Sequence, residues 1–325
     1  MKTVRLILAS VTLLALSSCS QSSGKSVIKL AHGLDTSHAV HKAMVYMNEV
    51  LQEKSNGAMR IEIYANQQLG SERECLELLQ IGSLDMTKVS TGVMENFAPK
   101  MRIFGLPYLF KDRQHQFNVL DGAVGKELLE DGRKYWLKGL GYYDAGSRSF
   151  YTKEKPVNAP EDIEGLKIRV MESVTAINMV KSLGGSPTPI SWGELYTSLQ
   201  QGVVDGAENN PPSFYLSRHY EVCKYYALDE HTALPDVLLI STHTWEKLSE
   251  QQKNWLEEAV SLSVEHQRKL WAESEALALA EVVKAGVEVS RPDKAPFVEK
   301  VNVLYQEAVK DASLKKLIEN IQKQE

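Results

Sequence analysis

The stretch that decides the fold runs from Gly165 to Tyr215 and reads GLKIRVMESVTAINMVKSLGGSPTPISWGELYTSLQQGVVDGAENNPPSFY. It opens with an apolar strand pattern that carries one charged residue, Arg169. A first helix ends at paired glycines, and a second starts at the capping-box pair Ser191 and Glu194. A short apolar strand follows. This order predicts an open α/β sheet, in which ligands bind beyond the carboxyl ends of the strands.

Two polar residues, Arg169 and Asn209, lie near the ends of the two predicted strands. A guanidinium inside an apolar strand is costly to bury unless it is paired. An internal carboxylate could be the partner of Arg169, and a ligand carboxylate would suit its planar fork equally well. Position alone leaves both interpretations open.

The length and composition of the chain limit its possible size, lobe number and class of partner. The chain has 325 residues, of which 43% are hydrophobic, so it is long enough for two lobes with ordinary cores. Its formal net charge is −5 and its pI is about 6.0. Since no basic run is present, these values argue against a nucleic-acid partner.

The first residues are typical of a targeting segment. Lys2 and Arg5 precede an apolar run over residues 6–16, which is too short to span a bilayer. The following Leu16-Ser-Ser-Cys19 resembles a bacterial lipobox, which implies cleavage before Cys19 and acylation of its thiol. We therefore predict a lipoprotein signal peptide over 1–18 and a lipidated tether over 19–26; ordinary secretion is the alternative.

One unit of the chain repeats after 120 positions: a capped helix, a glycine stop and a strand. Six identities fall in register: Ser71 with Ser191, Glu74 with Glu194, Leu79 with Leu199, Gln80 with Gln200, Gly82 with Gly202 and Asp85 with Asp205. Two copies predict two similar lobes rather than a solenoid. By the same shift Lys88 corresponds to Glu208 and Ser90 to Asn210, so Lys88 and Ser90 are expected to face any ligand that Asn209 faces.

The chain is divided accordingly. We predict lobe I over 27–146 plus 236–248, lobe II over 147–235 plus 287–325, and a helix over 249–286 that is long enough to brace both. Cys75 and Cys223 fall in different lobes and in amphipathic runs, so free buried thiols are expected rather than a disulfide.

Common catalytic signatures such as G-x-S-x-G, H-E-x-x-H and the Walker loop are absent from the sequence. His32, His38 and His41 lie close together, but no acidic cluster accompanies them, which favours polar or ligand-contact roles over a metal site. Glu74 is explained as a capping residue and equally as an acceptor for a ligand hydroxyl. Trp192 is either a core residue or an apolar face for a sugar ring.

Several motifs together carry a family resemblance: K-I-R-V at 167–170, G-G-S-P-T-P at 184–189, E-L-Y at 194–196 and V-D-G-A-E-N at 204–209. They resemble the substrate-binding proteins of tripartite ATP-independent periplasmic (TRAP) transporters, DctP type, and within these the sugar-acid-binding branch. The resemblance implies an α/β, two-lobed periplasmic-binding-protein-like fold with a hinged cleft and a long helix bracing both lobes.

The resemblance also implies roles for individual residues. Arg169 matches the arginine that anchors a ligand carboxylate, Arg148 a second family arginine, and Asn209 the asparagine of the D-G-x-E-N motif. Trp192 stands where the family has phenylalanine. With the residues singled out above, the predicted ligand-binding set is Arg169, Arg148, Asn209, Glu74, Trp192, His38, Lys88, Ser90 and Asn210.

The predicted function is a monomeric, lipid-anchored extracytoplasmic receptor that delivers a sugar acid, such as glucuronate or galacturonate, to the permease subunits of a TRAP transporter. No cofactor, metal or catalytic residue is expected. A C4-dicarboxylate receptor is the main rival, with Arg148 as its second cation, although Glu74 would repel a second ligand acid. A secreted hydrolase or lyase that uses Glu74 or a histidine, and a sensor for a signalling partner, remain alternatives.

Overall fold

The structure is a computed structural model that describes residues 26–324. The predicted signal peptide 1–18, Cys19 and all of the predicted tether except Ser26 lie outside these residues. Ser26 itself begins the first strand. Within residues 26–324, no helix is both long and apolar enough to cross a membrane.

The chain as far as residue 143 folds into four strands and five helices. These are β1 (Ser26–Ala31), α1 (Ala39–Lys54), β2 (Met59–Tyr64), α2 (Glu72–Gln80), β3 (Met86–Ser90), α3 (Thr91–Met94), α4 (Arg113–Asp121), α5 (Ala123–Asp131) and β4 (Leu137–Tyr143).

The middle of the chain adds six strands and four helices. These are β5 (Arg148–Thr152), β6 (Lys167–Val170), α6 (Val174–Ser182), β7 (Ser186–Pro189), α7 (Leu195–Gln200), β8 (Gly206–Asn209), α8 (Pro211–Leu216), α9 (His219–Val222), β9 (Tyr225–Thr232) and β10 (Asp236–Ser241).

The remaining elements are α10 (Thr242–Trp245), α11 (Glu250–Lys284), β11 (Glu288–Ser290), α12 (Ala295–Ala308) and α13 (Ala312–Gln322). Short 3-10 helices cover Pro99–Gly105, Gly132–Tyr135, Pro160–Ile163 and Trp192–Glu194.

Two sheets form the two lobes. The first has the order β2-β1-β3-β10-β4, with β10 antiparallel to both of its neighbours. The second has the order β11-β9-β5-β8-β6-β7, in which β8 runs parallel to β6 and antiparallel to β5. Helices pack on both faces of each sheet and bury separate apolar cores. The predicted two-lobed α/β fold is confirmed.

Local signals in the sequence account for most helix starts. Ser71 and Glu74 form a complete capping box on α2, and Ser249 and Gln252 form one on α11. The box predicted at Ser191 is incomplete, because its hydroxyl bonds to the carboxylate of Glu194 at 2.6 Å and caps no backbone amide. The first turn of that segment is accordingly a 3-10 helix.

The long helix α11 braces both lobes, as predicted. Its first half packs Leu256 and Val260 into the core of lobe I, and its end packs Val282 into the core of lobe II. Midway, the buried Gln267 makes two hydrogen bonds to the backbone of Asp144, where the chain leaves β4 for the second lobe: 2.8 Å to its amide and 2.7 Å to its carbonyl. The helix is therefore fixed to one of the crossings between the lobes.

The C-terminal segment differs from the predicted division, which placed residues 287–325 in lobe II. Phe297 and Val301 of α12 do pack in that lobe. The helix α13, however, buries Leu314 and Ile318 against the core of lobe I. Its apolar stripe showed that it must pack, but not on which lobe.

Both cysteines in the described part of the chain are free and buried. Cys75 lies in a core of lobe I and Cys223 in a core of lobe II. Burial raises the pKa of Cys75 to about 11 and that of Cys223 to about 12. Both thiols therefore stay protonated and inert at ordinary pH.

Candidate functional site

A cavity of about 800 Å³ lies between the two lobes. Eight of the nine residues predicted to contact a ligand line it: Arg169, Arg148, Asn209, Trp192, His38, Lys88, Ser90 and Asn210. The structure thus brings together residues that are up to 172 positions apart, from His38 to Asn210.

Among the residues that the structure describes, Arg169 is the cation of this cavity without an acidic partner. It lies on β6 and is only 2% exposed. Its Nε donates to the carbonyl of Ile190 at 2.8 Å, but Nη1 is buried without a partner among the described residues. Burial, the largest effect, lowers the pKa of the guanidinium. Such a group is stabilised by an anion that enters the cavity.

Arg148, by contrast, is already paired. On β5, it forms a bidentate ion pair with Glu208 and donates Nη1 to Oδ1 of Asn209 at 2.9 Å. Burial acts to raise the pKa of Glu208, but Arg148 and His231 outweigh it and lower the pKa to about 2. Both contacts of the Asn209 side chain use Oδ1. Its Nδ2 donor therefore makes no hydrogen bond within the described chain and is free for a ligand.

Lys88 is shared by two acids, Glu72 and Asp236, that were not predicted to lie at the site. Its Nζ lies 3.1 Å from Glu72 and 3.1 Å from Asp236, and both acids line the cavity. Burial acts to lower the pKa of Lys88, but these two charges raise it. Glu72 also accepts the amide of Ser90 at 3.1 Å. The two carboxylates are acceptors at the cavity wall that ligand hydroxyls can use.

Glu74 is the one predicted contact that the structure places elsewhere. Its carboxylate accepts the amide of Ser71 at 2.7 Å and the Ser71 hydroxyl at 2.9 Å, and its side chain is exposed outside the cavity. Because residues two apart on a helix point to different sides, Glu72 faces the cavity when Glu74 serves the cap. The structure therefore shows the capping role of Glu74 and does not place it in the cavity wall.

The three histidines near the start of the chain have separate tasks. His38 is the N-cap of α1, and its Nδ1 accepts the amide of Val40 at 3.2 Å. His32 and His41 hydrogen-bond to each other at 2.9 Å. Within residues 26–324, no group of three or more His, Cys, Asp or Glu side chains is placed to hold a metal ion.

Three further residues complete the wall where the lobes meet. Trp192 packs edge-on against His219, with ring centroids 5.3 Å apart, and also approaches Gly33 of lobe I. Gln67 lies beside both Gly33 and Gly193, so it fills the space between the lobes. Trp271, from the middle of α11, is 1% exposed and was not predicted from the sequence. A buried tryptophan in a largely polar helix is the signal that could have revealed it.

A comparison with protein families matches residues 30–311 to DctP, the bacterial extracellular solute-binding proteins of family 7. An uncharacterized protein of Salmonella typhimurium, YiiZ, is 42% identical over 87% of each chain.

Two solved structures of TRAP periplasmic solute-binding proteins are also similar. The one from Xanthobacter autotrophicus, with bound β-D-galacturonate, is 38% identical with a TM-score of 0.89, covering 92% of this chain and 100% of its own. The one from Anaerococcus prevotii, with bound D-glucuronate, is 37% identical with a TM-score of 0.90, covering 92% and 98%. With the two-lobed fold and its interlobe cavity, these matches show that the chain belongs to the DctP family of TRAP solute-binding proteins.

Proposed function

We propose that this receptor binds a hexuronate, such as glucuronate or galacturonate, and delivers it to the membrane permease of a TRAP transporter. The observation that carries the proposal is Nη1 of Arg169, a buried cationic donor without a partner among the described residues. A carboxylate at this position would form a charge-assisted, bidentate pair with a guanidinium that is almost fully buried.

The charged side chains that line the cavity favour a ligand with one carboxylate. Among the described residues, the other cationic side chains of the cavity already have acids: Arg148 has Glu208, Lys88 has Glu72 and Asp236, and Arg73 has Glu77 at 3.2 Å. A second ligand carboxylate would find no unpaired cation in the described part of the cavity. It would also meet the acids that flank Lys88, since like charges at short range disfavour ionisation of both.

The rest of the lining supports a hydroxylated ligand. Glu72 and Asp236 accept hydrogen bonds, whereas Asn209 and His38 have donors to offer. Trp192 supplies an apolar face, which suits the carbon face of a pyranose. The bound uronates in the two similar structures agree with this ligand class.

Members of the family are extracellular solute-binding proteins, which supports an extracytoplasmic location for this receptor. We further propose that the lipobox-like Leu16-Ser-Ser-Cys19 anchors this receptor to the membrane by an acylated Cys19. The anchor would keep a monomeric receptor close to the permease without any other membrane contact.

A calorimetric panel of uronates, aldonates and C4 dicarboxylates tests the ligand class, and native mass spectrometry identifies any acid that is retained through purification. We expect tight binding of one or both uronates and recovery of the bound acid unchanged after incubation. Tight binding of succinate or malate with no response to uronates would contradict the ligand class. Conversion of the acid would contradict the receptor function.

A further inference from the structure

Unpartnered buried side-chain atoms are concentrated at the cavity. Ten buried side-chain nitrogen and oxygen atoms of the described residues have no hydrogen-bond partner. Four of them belong to residues that line this cavity: Nη1 of Arg169, Nε2 of His38, Nε2 of Gln67 and Nε1 of Trp271. A buried polar group left unpaired is destabilising, so this concentration points to a ligand that supplies the missing partners.

The hydrogen-bond role of His38 can be assigned. Because Nδ1 accepts the amide of Val40, it carries no proton. Burial, with a smaller contribution from the charge of Lys88, lowers the pKa of His38 to about 3, so the ring is neutral at ordinary pH. Its single proton is therefore on Nε2. His38 offers the cavity a neutral N–H donor.

Trp271 offers the same kind of group next to it. The ring centroids of His38 and Trp271 are 5.7 Å apart, and the two planes are tilted by 54°. An indole Nε1 can only donate. Both residues belong to the lobe I side of the cleft, since Trp271 packs in the lobe I core with α1, whereas Arg169 belongs to lobe II.

We propose that His38 and Trp271 form a neutral donor pair that binds ring hydroxyl oxygens at the end of the ligand opposite its carboxylate. This inference rests on the proposed function, because it divides the same site into an anionic end at Arg169 and a hydroxyl end at the pair. The hydroxyls can donate their own protons to Glu72 and Asp236. A neutral donor pair selects a hydroxylated acid over one that carries a second charge.

Two variants remove the donors and retain the packing. His38→Asn keeps an oxygen where Nδ1 caps α1, and asparagine is a favoured N-cap, but the side chain ends before Nε2. Trp271→Phe keeps an aromatic ring and removes the indole N–H. Trp245→Phe is the matched control, because Trp245 packs in the same core and does not line the cavity.

Calorimetry compares the wild type and the three variants on D-glucuronate and its 2-, 3- and 4-deoxy analogues. We expect His38→Asn and Trp271→Phe each to weaken glucuronate binding roughly tenfold, and Trp245→Phe to match the wild type. Each donor should contact one ring hydroxyl. In the variant that lacks this donor, the deoxy analogue without that hydroxyl should bind as tightly as glucuronate, because the contact is already absent.

Two results would overturn the pair: unchanged glucuronate affinity in both variants, or the same loss on all four ligands, which indicates a packing role. The uronate affinity of the wild type tests the proposed function separately from the variants. If the wild type binds no uronate, the proposed function fails and the donor pair fails with it. If the wild type binds uronates and the variants show either overturning result, only the pair is wrong.

Discussion

Arg148 and Arg169 lie on the two strands that flank β8, and they differ in their partners. Arg148 is neutralised by Glu208, whereas Nη1 of Arg169 has no partner among the described residues. One arginine therefore belongs to the scaffold of the cavity and holds Asn209, and the other is free for an anion. Their similar positions in the sheet gave no indication of this division, which depends on the acid at position 208.

Replacement of Arg169 with lysine tests the carboxylate anchor. Lysine keeps the positive charge but loses the planar fork, and it also loses the Nε bond to the carbonyl of Ile190. A charge-assisted pair in a closed site contributes a few kcal/mol, so uronate affinity should fall on the order of a hundredfold. Calorimetry measures this, with Arg102→Lys, a half-buried position outside the cavity, as the control. Wild-type affinity in Arg169→Lys would falsify the anchor role.

The two glutamates at the start of α2 provide a matched pair. Glu72→Gln should weaken uronate binding about three- to thirtyfold, because Glu72 lines the cavity and holds both Lys88 and the amide of Ser90. Glu74→Gln should leave affinity unchanged and cost at most about 1 kcal/mol of unfolding free energy, since glutamine still serves a capping box. Thermal melts and calorimetry on both variants separate the two roles. A larger affinity loss in Glu74→Gln would reverse the assignment.

The same two residues show where sequence reasoning succeeds and where it stops. A capping box depends on four consecutive residues, so it could be identified in the sequence, and it is present at Ser71. Which carboxylate faces the cavity depends on how α2 packs on β3 and on β10, and β10 lies far along the chain. Asp236 was missed for the same reason: it reaches Lys88 only because β10 returns to lobe I and pairs with β3.

The repeated unit of the fold could be predicted from the sequence, whereas the packing of α13 and the position of Trp271 could not. The 120-residue shift maps β3 onto β8, and it maps Ser90 and Asn210 onto each other as the N-caps of the helices that follow. These are local patterns, set by capping and alternation. The choice of lobe I by α13, and the arrival of Trp271 at the cavity, depend on long-range packing of amphipathic helices that local patterns do not specify.

A contact between the lobes predicts an effect on closure. Glu95 of lobe I accepts the amide of Thr175 at 3.0 Å and its hydroxyl at 2.7 Å, at the start of α6 in lobe II. Removing it by Glu95→Ala should cost the closed state about 1–2 kcal/mol and weaken uronate binding about five- to thirtyfold.

Small-angle scattering checks the mechanism. The wild type should have a smaller radius of gyration with saturating uronate than without it, as hinge closure requires. The Glu95→Ala variant should need more ligand to reach the same compact profile. Identical wild-type profiles with and without ligand would argue against a hinge.

Cys19 is the test of the anchor. Replacing it with alanine should yield a product that is either uncleaved or released from the membrane fraction, because the acylated thiol would be absent. Mass spectrometry of the wild-type mature protein should show an N-terminal cysteine that carries acyl chains. An unacylated, freely soluble wild-type protein would contradict the lipobox interpretation, while uronate binding would be unaffected.

The buried histidine His231 predicts how stability responds to alkaline pH. It lies 2.8 Å from Asp229 and 3.5 Å from Glu208. Burial acts to lower its pKa, but these two carboxylates outweigh burial and raise it to about 9. The unfolded value is about 6.5, so between these pH values the folded state holds a proton that the unfolded state has lost. This contribution is complete below pH 6.5 and is lost as pH rises toward 9.

Thermal or urea unfolding between pH 6.5 and 9 measures the effect. We expect the wild type to lose stability over this range, by at most about 3 kcal/mol. His231→Gln should be less stable than the wild type at pH 6.5, and its stability should change little up to pH 9, because glutamine keeps a polar side chain but cannot bind the proton. His219→Gln is the matched control: burial lowers the pKa of His219 to about 3, so the ring is neutral throughout this range. An alkaline loss of the same size in wild type and His231→Gln would assign the effect to another group.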